Sequence, residues 1–125
     1  MATYRNQAND YYSVGSTPPT ITWTVVRRDT AAFKAYVTDD IKNPLTISEW
    51  TIAMDIYRPS TDTVILSLTP AATVDDGPGE FTVSLTSEES ELLQTDDIFD
   101  IQLSSLDKVW TVGRGSMIMI EDVTV

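Results

Sequence analysis

Residues 50–58 read WTIAMDIYR, and this stretch decides the fold. Trp50, Ile52, Met54 and Ile56 alternate with Thr51, Asp55 and Tyr57. Successive side chains of a β-strand point to opposite faces, so this period of two predicts a strand with one apolar face turned to a core and one polar face turned to water.

The same period recurs on both sides of it. Ile21, Trp23 and Val25 alternate with Thr20, Thr22 and Thr24, and Phe33, Ala35 and Val37 alternate with Lys34, Tyr36 and Thr38. After the turn residues Arg58-Pro59-Ser60-Thr61-Asp62, Val64, Leu66 and Leu68 form a further strand. It ends at Pro70, which has no N–H to give to a ladder. Asp75-Asp76-Gly77-Pro78-Gly79 is the strongest loop signal and leads into Phe81, Val83 and Leu85. Phe99, Ile101 and Leu103 mark another strand, Val109–Val112 the next, and Ser116 to about Val125 the last, with Gly113 and Gly115 read as a bulge or kink between these two. One helical turn interrupts the series. Thr86-Ser87-Glu88-Glu89 fits a capping box, with Leu92 and Leu93 placed to fasten the turn over one end of the core.

About eight short strands with frequent turns predict an all-β sandwich or small barrel, and the lack of long helical segments argues against parallel strands, which need crossovers. Residues 20–125 form this domain. Residues 1–19 show neither strand nor helix period and end in Pro18-Pro19, so they read as an extended N-terminal arm. Its Tyr4, Tyr11 and Tyr12 exceed what a solvating tail requires, and tyrosine is favoured at interfaces. With Pro18, Pro19 and Trp110, they are the candidate interaction residues.

The composition excludes several chemistries. The 125 residues include no cysteine and no histidine, which rules out disulfides, zinc sites, Cys-His pairs and a Ser-His-Asp triad. The net charge is −11, so phosphate backbones and anionic lipid are poor partners, and neither nucleic acid nor a membrane is expected. The longest apolar stretch, Met117-Ile118-Met119-Ile120, is far below the ~20 residues that span a bilayer. No basic flank and apolar run opens the chain, so no secretory leader is expected. The acidity is uneven: residues 1–70 hold seven of the 19 acids against six bases, and residues 71–125 hold the other 12 against Lys108 and Arg114. A solvating role for those acidic loops stands beside a second reading, in which they gather at one end and meet a basic neighbour.

The acidic runs are the only dense clusters of potential ligands. Ca²⁺ near Asp75, Asp76 and Glu80 is the one cofactor to consider, and it competes with the ordinary use of Asp and Gly in turns. The run Asp96, Asp97 and Asp100 lacks EF-hand spacing as well. No carboxylate pair has a defined spacing for glycoside hydrolysis, and Gly77-Pro78-Gly79 is followed by no lysine or phosphate-binding pattern. No catalytic residue is assigned. Trp23 and Trp50 read as core, whereas the face of Trp110 continues as Val112 and Arg114, which leaves open a carbohydrate platform.

Several pieces of the second half occur together in one known family. They are Leu45-Thr46 before the Trp50 strand, Arg58 ending that strand, Gly79-Glu80-Phe81 leading to Leu85-Thr86, the Glu-containing turn closing on Leu92 or Leu93, Phe99-Asp100, and Gly115 before a strand ending Asp122-Val123-Thr124. In this combination the chain resembles the small immunoglobulin-like domain of tailed-phage virions, found at the N-terminus of upper baseplate proteins and in short proteins encoded near tail-fibre genes. It departs from the family pattern at Glu49, where a glycine is usual, and at Val112-Gly113-Arg114, where a leucine pair is usual. The resemblance implies an immunoglobulin-like antiparallel sandwich of seven or eight strands. It also implies a non-enzymatic virion protein made in the host cytoplasm, homo-oligomeric in the particle and bound to other tail, neck, baseplate or capsid proteins. A capsid decoration protein and a carbohydrate-binding module for host adsorption are the alternatives.

Overall fold

The computed structural model describes residues 18–38 and 41–121. Seven strands follow in chain order: β1 (Thr20–Val26), β2 (Ala31–Tyr36), β3 (Thr51–Arg58), β4 (Thr63–Leu68), β5 (Glu80–Leu85), β6 (Ile98–Ser105) and β7 (Lys108–Ile120). A 3₁₀ turn, Ile47–Glu49, leads into β3, and one helical turn, α1 (Ser87–Glu91), joins β5 to β6. The strands form two sheets, one in the order β1-β7-β6-β3-β4 and one made of β2 and β5. This is an all-β sandwich. The trio β3, β6 and β7, faced by β2 and β5 from the second sheet, follows the strand order of immunoglobulin-like domains.

Alternation builds the core as the sequence implies. Ile52, Met54 and Ile56 of β3, Phe99, Ile101 and Leu103 of β6, and Met117 and Met119 of β7 are buried from one sheet. Phe81, Val83 and Leu85 of β5 meet them from the other. Fully burying one such side chain is worth about 1.5–3 kcal/mol, so these facing rows supply the main drive to fold. Trp23 in β1 stitches the layers: its ring lies edge-on to Phe33 of β2 with centroids 4.7 Å apart, and to Phe99 at 6.5 Å.

Two expectations are corrected. The sandwich is not wholly antiparallel, because β1 runs parallel to β7, pairing Thr20 with Arg114 through Val26 with Ile120. No helical crossover is needed, since the chain visits the second sheet and both central strands between them. The last two expected strands are also one, which sets the count at the lower of the seven or eight expected. Gly113 and Gly115 lie inside β7, and the irregularity falls at Val112, which the β6 register skips between Gly113 and Thr111. That bulge switches the inward positions from Trp110 to Gly113, Met117 and Met119.

Gly115 has a spatial reason to be glycine. A Cβ there would sit 1.8 Å from the Ile21 carbonyl oxygen, so the close approach of β1 to β7 requires a bare Cα. Gly79, at φ +76°, turns the chain into β5 under the Val37 carbonyl.

Candidate interaction surface

One end of the sandwich is closed by charge. Asp97 precedes β6 and is buried; Arg58, the last residue of β3, donates to both its oxygens, Nε to Oδ1 at 2.8 Å and Nη2 to Oδ2 at 2.9 Å. Asp97 Oδ2 also accepts from the Gln94 N–H at 2.8 Å, and Arg58 Nη2 donates to the Leu92 carbonyl at 3.0 Å. The bidentate contact to Asp97 holds the Arg58 pKa above its ordinary value. Arg27, following β1, donates from Nη1 to the Glu91 and Leu93 carbonyls at 2.9 and 2.6 Å and pairs with Glu121 at 2.9 Å. Two cations from different strands therefore satisfy the carbonyls that end α1, where positive charge is favoured.

The front of α1 is closed as the sequence predicts. Thr86 Oγ1 accepts from the Glu89 N–H at 3.1 Å, and Glu89 Oε1 accepts from the Thr86 N–H at 2.9 Å. Leu93 is fully buried, but Leu92 is 54% exposed, so only one of the two leucines fastens the turn to the core. Arg28 pairs with Glu91 rather than with its neighbour Asp29.

The loop before β5 is closed internally. The Asp76 side chain is buried and accepts from the Thr73 N–H at 2.8 Å, from Thr82 Oγ1 at 3.0 Å and from Lys34 Nζ at 3.2 Å. The Thr73 N–H, with Lys34 and Thr82, holds its pKa below the ordinary carboxylate value despite burial. Glu80 Oε1 accepts from the Gly77 N–H at 2.8 Å, and Lys34 also donates to the Asp75 carbonyl. The carboxylates of Asp76 and Glu80 thus serve protein donors. Among the described residues, no three Asp or Glu side chains are placed to hold a metal ion. This loop and α1 stand at opposite ends of β5, so the acidic segments do not gather at one end.

Of the candidate interaction residues, Tyr4, Tyr11 and Tyr12 lie outside the described residues. Pro18 and Pro19 are half-buried, and the Pro19 carbonyl accepts from the Arg114 N–H at 3.1 Å, extending the β1–β7 pairing by one residue. Trp110 is 4% exposed and lies edge-on to Trp50 with centroids 6.4 Å apart. Its ring presents no open face for a sugar; the bulge at Val112, next to Gly113, turns it inward. Its Nε1 and Thr38 Oγ1 are buried and, among the described residues, have no hydrogen-bond partner.

What the fold presents outward is the far face of the five-stranded sheet. Tyr57 is paired with Val64 on one side and Ile98 on the other, and Ile98 with Ser116. Val64, Ile98, Ile118 and Ile120 are 39–51% exposed, giving this face an apolar row. One row along, Ser67 donates to Asp55 at 2.7 Å, and Asp55 lies opposite Asp100, which lies opposite Arg114. Partial burial and then Asp55 push the Asp100 pKa up, with Arg114 opposing them. The sequence shows the outward alternation of these residues but not that the rows align across strands.

A cleft of about 250 Å³ lies between the end of β4 and the free side of β5, lined by Leu68, Pro70, Thr82, Ser84 and Glu89. Its one ionisable group, Glu89, is held by the capping box. Among the described residues, no helix is long and apolar enough to cross a membrane. No protein-family model matches the chain, and no curated protein aligns with it significantly. Fold and surface together define a β-sandwich whose outward features are sheet face and strand edges.

Proposed function

We propose that this chain is a non-enzymatic structural protein of a tailed-phage virion, an adaptor of the tail, neck or baseplate. It contacts neighbouring subunits through residues 1–19 and through its sheet edges. The observation that carries this reading is where the residues of the sequence resemblance fall. Arg58 meets the turn after α1, Thr86 and Glu89 cap that turn, Leu93 plugs the core beside it, and Gly115 admits β1 against β7. Pieces far apart in the chain are the devices that close one sandwich, which supports a shared fold behind the shared pattern. A rigid sandwich with an apolar outer row suits repeated contacts, and weak contacts become strong when a particle repeats them.

The test is mass spectrometry of purified particles from the phage whose genome encodes this chain. The reading expects the 13.9 kDa protein at tens of copies or fewer per particle. Hundreds of copies would assign it to capsid decoration instead, and its absence from the particles overturns the proposal.

A further inference from the structure

The five-stranded sheet ends in two strands, β1 and β4, and the smaller sheet leaves outer sides on β2 and on β5, where Ala71 already bridges to Thr82 of β5. Exposed edges invite pairing, and proteins blunt them with charge, bulges or proline. Strand β2 carries Lys34, which is tied to Asp76. Strand β4 is bulged, because Ile56 pairs with Leu66 and Tyr57 with Val64, skipping Ile65. Strand β1, TITWTVV, has none of these within it: seven residues without charge, in unbroken register with β7.

The direction of its free groups follows from two hydrogen bonds. The Pro19 carbonyl accepts from Arg114 and the Arg27 N–H donates to the Ile120 carbonyl, so odd-numbered residues turn their backbone groups toward β7. Groups alternate along a strand. Thr20, Thr22, Thr24 and Val26 therefore turn N–H and C=O to the open edge, where among the described residues no strand pairs with them.

We infer that β1 pairs antiparallel with β1 of a second copy of this chain across a two-fold axis at Trp23. That register sets Thr22 opposite Thr24 and Thr20 opposite Val26 in both directions, so all four outward residues exchange hydrogen bonds. It also sets threonine beside threonine on the outer face, a favourable cross-strand pair. Pro18-Pro19 bounds the paired segment. Charge does not oppose a like partner here: residues 18–30 and 111–121 hold Arg27, Arg28 and Arg114 against Asp29 and Glu121, near balance in a chain of net charge −11. The contact is isologous and closes at two copies. Its purpose rests on the virion reading, but its geometry does not.

Sedimentation velocity on the full chain tests it, with circular dichroism to verify folding. The wild type is expected as a dimer. Thr24→Pro removes a donor from the open edge without touching the β7 ladder and is expected to give a monomer. The double variant Thr22→Lys/Thr24→Lys sets lysines opposite lysines and is also expected to be monomeric. Thr22→Lys/Thr24→Glu sets lysine opposite glutamate in this register alone and is expected to remain dimeric. If Thr24→Pro does not fold, the two charge variants decide. A monomeric wild type, or a dimer indifferent to the lysine pair, overturns the inference, while detection of the protein in particles would leave the virion reading standing.

Discussion

Arg58 and Asp97 are 39 residues apart in sequence and form a bidentate ion pair in which Asp97 is 2% exposed and Arg58 15%. The pair joins the end of β3 to the start of β6 and also reaches the turn after α1. Removing one partner of such a pair strands a buried charge. Arg58→Ala is expected to cost about 3–5 kcal/mol in urea denaturation, and Arg58→Met/Asp97→Leu distinctly less, because no charge is left unpaired. A double variant weaker than either single change would show that the pair does not act as a unit.

Two carboxylates give stability opposite responses to acid. The Asp76 pKa is depressed in the fold, so its contribution is complete above the unfolded value and is lost as pH falls through the folded value. The Asp100 pKa is raised, so the folded state is penalised at neutral pH and relieved as pH falls through that raised value. Lowering the pH is expected first to recover a little stability from Asp100 and then, below the ordinary carboxylate range, to lose that from Asp76. Thermal melts of Asp100→Asn should lack the gain and those of Asp76→Asn the loss.

The two glycines of β7 differ in what surrounds them. At Gly115 a Cβ meets Ile21 backbone, whereas at Gly113 the nearest atom is the Ile21 Cδ1 methyl at 3.2 Å, the movable end of a side chain. Gly115→Ala is expected to destabilise by about 3 kcal/mol and to speed hydrogen exchange along β1, with Gly113→Ala costing about 1 kcal/mol or less. Equal losses at the two sites would contradict the close approach of β1 to β7.

Among the described residues no group accepts from the buried Trp110 N–H, which offsets part of what its burial contributes. Trp110→Phe is expected to cost about 1 kcal/mol or less, because it deletes that donor along with some apolar area. Trp110→Ala opens a cavity against Trp50 and is expected to cost about 3–5 kcal/mol. Guanidinium unfolding of the two variants separates the cases.

Strand alternation made most of the sandwich legible. The inward rows of β3, β5 and β6 are residues whose period of two is unbroken, and the Thr86–Glu89 cap is local enough to read directly. The parallel β1–β7 pair was not legible, because it joins distant parts of the chain and neither strand's own pattern records a neighbour's direction. The bulge expected around Gly113 and Gly115 falls at Val112, where a single extra residue reverses the inward parity, but it bends one continuous strand rather than parting two. For the interaction surface, the outward threonines of β1 were visible as polar alternation. That their backbone groups face an open edge required knowing which strand lies on the other side. The Arg58–Asp97 pair left only a faint sign, a charged residue ending an apolar strand.

The proposed role makes the chain a part of a virus particle, and immunogold labelling of intact particles tests that proposal most directly. Antibody raised against the recombinant protein is expected to place gold at the tail, neck or baseplate of particles from the phage that encodes it. Gold confined to unassembled protein in the lysate, with particles bare, would contradict it.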